Sequence, residues 1–132
     1  MTFTVNWIAV ILATVASMVL GMAWYMTLSK QWLDAIGKTK DQLDQSPAPF
    51  IIAALCQLVM AYFIAVFTRS IFDAVTIANA VQVGALAWLG FLITAMILNH
   101  RYQNAKWSQT LIDGGYLLGV VVVQGVVLGL LG

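Results

Sequence analysis

Four apolar runs divide this chain, and each is long enough to cross a lipid hydrocarbon core, which takes about 20 residues at a rise of about 1.5 Å each. They extend from about Val5 to Leu28, Phe50 to Thr68, Ala78 to Leu98 and Leu111 to Leu131. Hydrocarbon offers no water to unpaired backbone groups, so runs of this length must be helices. Even the β-branched stretch "VVVVQGVV" obeys that rule, because a lone strand in lipid leaves its amides unpaired. The expected fold is all-α: an integral membrane bundle of four transmembrane helices, a single domain over residues 1–132, with one long polar loop at about 29–49.

Composition agrees. The 132 residues are 62% hydrophobic and 8% charged, against roughly 45–50% and 25% in soluble domains. The mean hydropathy is +0.94. Six basic and five acidic residues leave a net charge of +1, with no basic tract or acidic tail. Nucleic acid is therefore not an expected partner; the lipid bilayer is. The opening "MTFTVNWIAV" lacks a basic segment, and its apolar run outlasts a signal-peptide core, so it reads as a retained span. Cys56 is the single cysteine and lies inside an apolar run, where a thiol behaves as a small hydrophobe.

Basic residues set the expected orientation. Lys30, Lys38 and Lys40 lie in the first loop and Arg101 and Lys106 in the third, whereas the opposite side holds Arg69 and the amino terminus. That asymmetry predicts loops one and three in the cytoplasm and both termini outside. In the first loop, Thr39 and Gln42 fit a capping box and Pro47 stops whatever short helix follows. Trp32, Leu33 and Ile36 have the spacing of a segment lying along the membrane surface. Trp24, Tyr25, Trp32 and Trp107 cluster at that same rim, the depth at which aromatic anchors sit.

Helices in lipid associate through close packing of small residues. The first span carries Ala9, Ala13, Ser17 and Gly21 at four-residue spacing, and the second carries Ala53, Gln57, Ala61 and Ala65. The fourth carries two pairs, Gly115 with Gly119 and Gly125 with Gly129. At about 100° per residue Gly125 sits about 120° around the helix from Gly119, so this helix is expected to pack on two neighbours. These stripes serve either intramolecular packing or a homo-oligomer.

Polar residues inside the spans are costly in lipid and must face protein or water. Asn6, Gln57, Asn79, Gln82, Asp113 and Gln124 qualify. Asp113 and Gln124 are eleven residues apart and fall within about 20° of one face, with Tyr116 about 60° to one side. Asn6, Gln57, Gln82, Asp113, Tyr116 and Gln124 are thus the candidate polar interior. Asp113, near the start of the last helix, is expected to answer the helix dipole and pair with Arg101 or Lys106; a proton-carrying or cation-binding role is the sharper reading. His100 has no second His, Cys or Glu beside it, so no metal site is expected. No glutamate occurs, and no nucleophile, Walker or Rossmann pattern is present. Neither a cofactor nor an enzyme activity is expected.

The blocks "NWIAV" (Asn6–Val10), "GMAWY" (Gly21–Tyr25) and Trp32, then "GALAWLGFLITAMILNHRY" (Gly84–Tyr102) and "LIDGGY" (Leu111–Tyr116), resemble small bacterial four-helix membrane proteins grouped as a domain of unknown function. The resemblance covers nearly the whole chain. Its matching positions are Asn6, Trp7, Gly21, Trp24, Tyr25, Gly90, Phe91, Asn99, Gly115 and Tyr116. Members often carry an acidic residue where Gln103 stands, with a denser basic cluster around Lys106, so a loop-three ion pair is in doubt here. The resemblance implies the cell (inner) membrane and no particular chemistry. Small multidrug transporters of similar length need a glutamate in their first helix, which this chain lacks. Two functions stay open: a non-catalytic subunit that self-associates or joins other membrane subunits, and an oligomeric channel or carrier using the polar line of the last helix. An embedded enzyme or a lipid- or quinone-binding protein are lesser alternatives.

Overall fold

The computed structural model describes all of residues 1–132 and is helical throughout, without strands. The first span, α1 (Trp7–Thr27), runs almost directly into a short helix, α2 (Ser29–Ile36). The second span is α3 (Ala48–Phe72). The third, Ile77–Tyr102, is built of α4 (Ile77–Ala87), a π turn over Trp88–Leu92 and α5 (Ile93–Tyr102). The fourth is α6 (Trp107–Leu131).

The ends follow local chemistry. Asn6 caps α1, its Oδ1 accepting from the Ala9 amide at 3.3 Å. Thr76 caps α4 by accepting from the Asn79 amide at 3.1 Å. Such caps satisfy amides that have no partner inside the helix. Gly37, at φ 68°, ends α2 in the left-handed region, where the absence of a Cβ removes the steric penalty. Asp73 ends α3 in the same region at φ 60°, a conformation short polar side chains tolerate.

Spans two to four are longer than their apolar runs. α3 continues to Phe72, α5 to Tyr102, and α6 starts at Trp107. The added turns carry Arg69, His100, Arg101 and Trp107. A helix does not stop where hydrocarbon stops; it stops where capping and turn residues end it.

α6 is the centre of the bundle. It packs on α1 on one side and α4 on the other, and α3 touches α1, α4 and α6. The two glycine pairs divide this work. A Cβ on Gly115 would lie 3.1 Å from Trp24 Cζ2 and one on Gly119 2.9 Å from Leu20 Cδ2, both on α1. A Cβ on Gly125 would lie 2.8 Å from the Val81 backbone, and Gly129 abuts the backbone of Ile77. One pair therefore receives α1 side chains, while the other admits α4 to backbone contact. The expectation that the last helix packs on two neighbours holds, and both pairs are used within the chain. Ala9, Ala13 and Ser17 on α1, with Ala61 and Ala65 on α3, are likewise buried. Cys56 lies on an exposed face of α3.

Two features were not expected. In the π turn the Ile93 amide donates to the carbonyl of Trp88, five residues back, so the third span is not one regular α-helix. At the end holding the termini, Asn6 Nδ2 donates to the Leu131 carbonyl at 2.9 Å and the Tyr62 hydroxyl to the Phe3 carbonyl at 2.8 Å. These bonds tie the amino-terminal segment to the end of α6 and to the middle of α3.

Candidate functional site

Two small-residue stripes meet at the middle of the bundle, and polar groups lie at their meeting point. Ser17 is fully buried because its stripe faces α3 and α6, and Gln57 is buried because its stripe faces back. The Ser17 hydroxyl lies 2.6 Å from Gln57 Oε1 and 3.0 Å from the Thr14 carbonyl, and its single proton serves the two. Gln124 of α6, also fully buried, donates through Nε2 to Ser17 Oγ at 3.1 Å and to the Gln57 carbonyl at 2.9 Å. Gln57 Nε2 in turn donates to the Tyr116 hydroxyl at 2.5 Å. Gln124 Oε1 is buried with no hydrogen-bond partner. Turning that amide over would place Oε1 against the Gln57 carbonyl, two acceptors facing each other, so the orientation holds.

A second cluster lies one helical turn toward the loops. The Tyr25 hydroxyl donates to Asp113 Oδ1 at 2.7 Å. Tyr25 sits edge-on against Tyr116, ring centroids 5.0 Å apart, and against Trp32 at 5.3 Å. The two hydrogen-bonded clusters are thus joined by an aromatic contact between Tyr25 and Tyr116.

Three of the predicted interior residues, Gln57, Tyr116 and Gln124, come together as one unit. Asp113 lies beside it, bonded to Tyr25. The pairing expected for Asp113 is replaced: Arg101 donates to Thr110 Oγ1 at 2.7 Å and to the Ala105 carbonyl at 3.1 Å, while Lys106 reaches the Asp34 carbonyl at 3.2 Å. Both cations are held within the loop region, and a neutral hydroxyl from α1 takes their place. Gln82 is exposed on α4 and joins nothing in the interior. Asn6 is a cap at the termini end, and Asn79 Nδ2 donates to the Ala74 carbonyl. His100 Nδ1 lies 2.7 Å from Thr110 Oγ1. Nowhere do three His, Cys, Asp or Glu side chains gather as metal ligands would.

The aromatic residues also divide. Trp107 is exposed, with the Arg101 guanidinium stacked 3.6 Å from its ring centroid. Trp24 is no simple anchor, because its indole N–H donates to the Ile112 carbonyl at 3.1 Å. Trp32 packs on Tyr25, and its indole N–H is buried without a partner.

Sequence reasoning missed Ser17 as the hub, having assigned it to packing alone, and missed Trp88 altogether. The Trp88 indole donates to the Gly114 carbonyl at 2.8 Å. A signal existed: Trp88 lies well inside its span, away from the interface where tryptophans anchor, so its N–H needed an acceptor in the protein.

These contacts explain two separate stretches of sequence as halves of one joint. In "LIDGGY", Ile112 offers its carbonyl to Trp24, Asp113 its carboxylate to Tyr25 and Gly114 its carbonyl to Trp88. Gly114 lies against Ile93, where a Cβ would come within 2.5 Å of Cδ1, and Gly115 lies against Trp24. In "GMAWY", Gly21 makes room for the Tyr116 hydroxyl, which would stand 2.7 Å from a Cβ there.

Comparison with curated proteins and with solved structures gives no match. A family model described as protein of unknown function (DUF1761) matches residues 8–129, a range that includes both halves of this joint. The chain belongs to that family.

Proposed function

We propose that this protein is a non-catalytic, multi-pass membrane component, a subunit that self-associates or assembles with other membrane proteins. One observation carries the reading. The polar line of α6 is consumed in bonds between helices: Gln124 is spent on Ser17 and Gln57, Tyr116 on Gln57, and Asp113 on Tyr25. Polar groups used this way fix which helices meet and in what register, as interhelical hydrogen bonds do in lipid. The interruption between Tyr25 and Tyr116 also favours a scaffold over a conducting line, since aromatic edges pass no proton. With both glycine pairs of α6 occupied inside the chain, partners would meet the outer faces of α3 and the third span.

The alternative, an oligomeric carrier or channel for a small solute, draws on Asp113, whose partner is neutral, and on the unpaired Gln124 Oε1. Purified protein in liposomes separates the two. Under the scaffold reading, Asp113→Asn and Gln124→Leu leave ion and proton leak as in the wild type. A variant that folds normally yet alters flux would sink it. Native mass spectrometry of protein gently released from its own membrane tests assembly: a lone monomer without companions counts against the proposal.

A further inference from the structure

At the loop end of the bundle a groove of about 570 Å³ opens between the last turns of α1 and the first loop, a volume within the roughly 300–1,000 Å³ typical of ligand sites. Met22, Tyr25 and Met26 form its α1 side, Trp32 its α2 side, and Lys40 stands at the loop end. Four spans fix its depth in a bilayer: the α1 side belongs to the last turns of a span, the Lys40 side to the polar layer beyond. We propose that this groove is a binding site for an anionic phospholipid, with an acyl chain along Met22 and Met26 and the headgroup phosphate at Lys40.

Two observations support that occupant. The polarity of the groove is graded in the direction of a lipid, apolar toward the bilayer centre and cationic at the rim. Lys40 is held in place through its backbone: Gln45 Nε2 donates to its carbonyl at 2.8 Å, and Gln42 Oε1 accepts from the Thr39 amide at 2.9 Å in the turn that carries it. Those bonds engage no part of its ammonium. The site also touches the interior, because Tyr25 both lines the groove and donates to Asp113.

The test uses the full chain in phosphatidylcholine vesicles carrying an equal minor fraction of either brominated phosphatidylglycerol or brominated phosphatidylcholine. The readout is quenching of the Trp32 emission, taken as the difference between wild type and Trp32→Phe. The brominated anionic lipid should show about a fivefold preference for Trp32, the contribution of one lysine near an anionic headgroup. Lys40→Gln should abolish that preference, whereas Lys30→Gln, on an exposed residue outside the groove, should preserve it. Equal quenching by both lipids would overturn the proposal, leaving only ordinary bilayer contact. So would equal losses in Lys40→Gln and Lys30→Gln, which would assign the effect to the charge of the loop. Shielding from both lipids would mean that protein covers the groove, and would overturn it as well. If Trp32→Phe fails to fold, total tryptophan quenching in Lys40→Gln against wild type answers the question, because Lys40 is exposed and its side chain is not packed in the bundle.

Discussion

Substituting Gly125 by alanine tests the closest seam in the bundle. A Cβ there would lie 2.8 Å from both Cα and N of Val81 and 2.9 Å from the Ala80 carbonyl carbon. Ordinary contact begins near 3.4 Å, so α4 must retreat by about 0.6 Å. The obstacle is backbone, with no side-chain rotation to relieve it. Overpacking of this kind costs about 1–3 kcal/mol, and the better helix propensity of alanine returns up to about 1 kcal/mol. The net expectation is a loss of about 1–2 kcal/mol, roughly a tenfold shift in the unfolding equilibrium. Gly119→Ala provides the internal control. Its Cβ meets the Leu20 Cδ2 methyl at 2.9 Å, the end of a flexible side chain, so the cost should fall below about 1 kcal/mol. Gly90→Ala meets nothing within 4 Å and should be neutral or slightly stabilising. Titrating purified protein in mild detergent with sodium dodecyl sulfate, and following helicity, gives the three free energies. Gly125→Ala as stable as wild type, or less costly than Gly119→Ala, would refute the reading of α6 as a helix with one backbone-contact face and one side-chain face.

Other expectations follow from the polar clusters. Tyr25→Phe deprives the half-buried Asp113 of its donor and should cost about 1.5–3 kcal/mol, the range for hydrogen bonds to charged groups. In a double-mutant cycle with Asp113→Ala, which removes the acceptor, most of that loss should disappear, and additive losses would deny the contact. Gln124→Leu removes two bonds averaging about 0.6 kcal/mol each in membranes but also removes a buried unpaired oxygen worth about 1–3 kcal/mol. It should therefore be near neutral in detergent unfolding, and a loss above about 3 kcal/mol would require a role beyond these contacts. Trp24→Phe and Trp88→Phe should each cost about 0.6 kcal/mol and add independently, since their acceptors are different carbonyls of α6. Outside the spans, the Ser46 hydroxyl and then its amide hold the Asp44 carboxyl below its usual range. A depressed folded value means that the turn is stabilised above the ordinary carboxylate pKa and loosens as pH falls through the lowered one. Ser46→Ala should move the Asp44 midpoint back up in an NMR titration.

The parts of this fold that depend on length and angle were legible in the sequence. Four spans follow from the extent of the apolar runs, and the two faces of α6 from a 100° step applied to Gly115, Gly119, Gly125 and Gly129. Identity of partners was not legible. Arg101 and Lys106 were the expected partners of Asp113 because they are near in sequence and oppositely charged. The actual partner, Tyr25, is 88 residues away and arrives only because α1 lies along α6. The π turn was hidden for another reason. "WLGFL" contains no proline, and a Gly in a membrane helix is ordinary; the widened turn is a property of the assembled helix, coinciding with the place where Trp88 bonds α6.

The polar line on α6 shows where reasoning by periodicity ends. Spacing of eleven residues places Asp113 and Gln124 on one face, and that arithmetic is sound. It says only that the face cannot be left to hydrocarbon. Whether such a face lines a path or seals a joint depends on what stands opposite. A path needs polar atoms with unspent bonding capacity along its length. Opposite Gln124 stand Ser17 and the Gln57 carbonyl, opposite Tyr116 stands the Gln57 amide, and opposite Asp113 stands Tyr25. Gln82, which would have extended the line to α4, turns outward. Gln124 Nε2 donates to α1 and α3, Tyr116 accepts from α3 and Asp113 from α1, and Gln124 Oε1 is the buried side-chain atom among these residues without a partner. A joint leaves few groups spare, and this distribution of partners sets α1, α3 and α6 in one register.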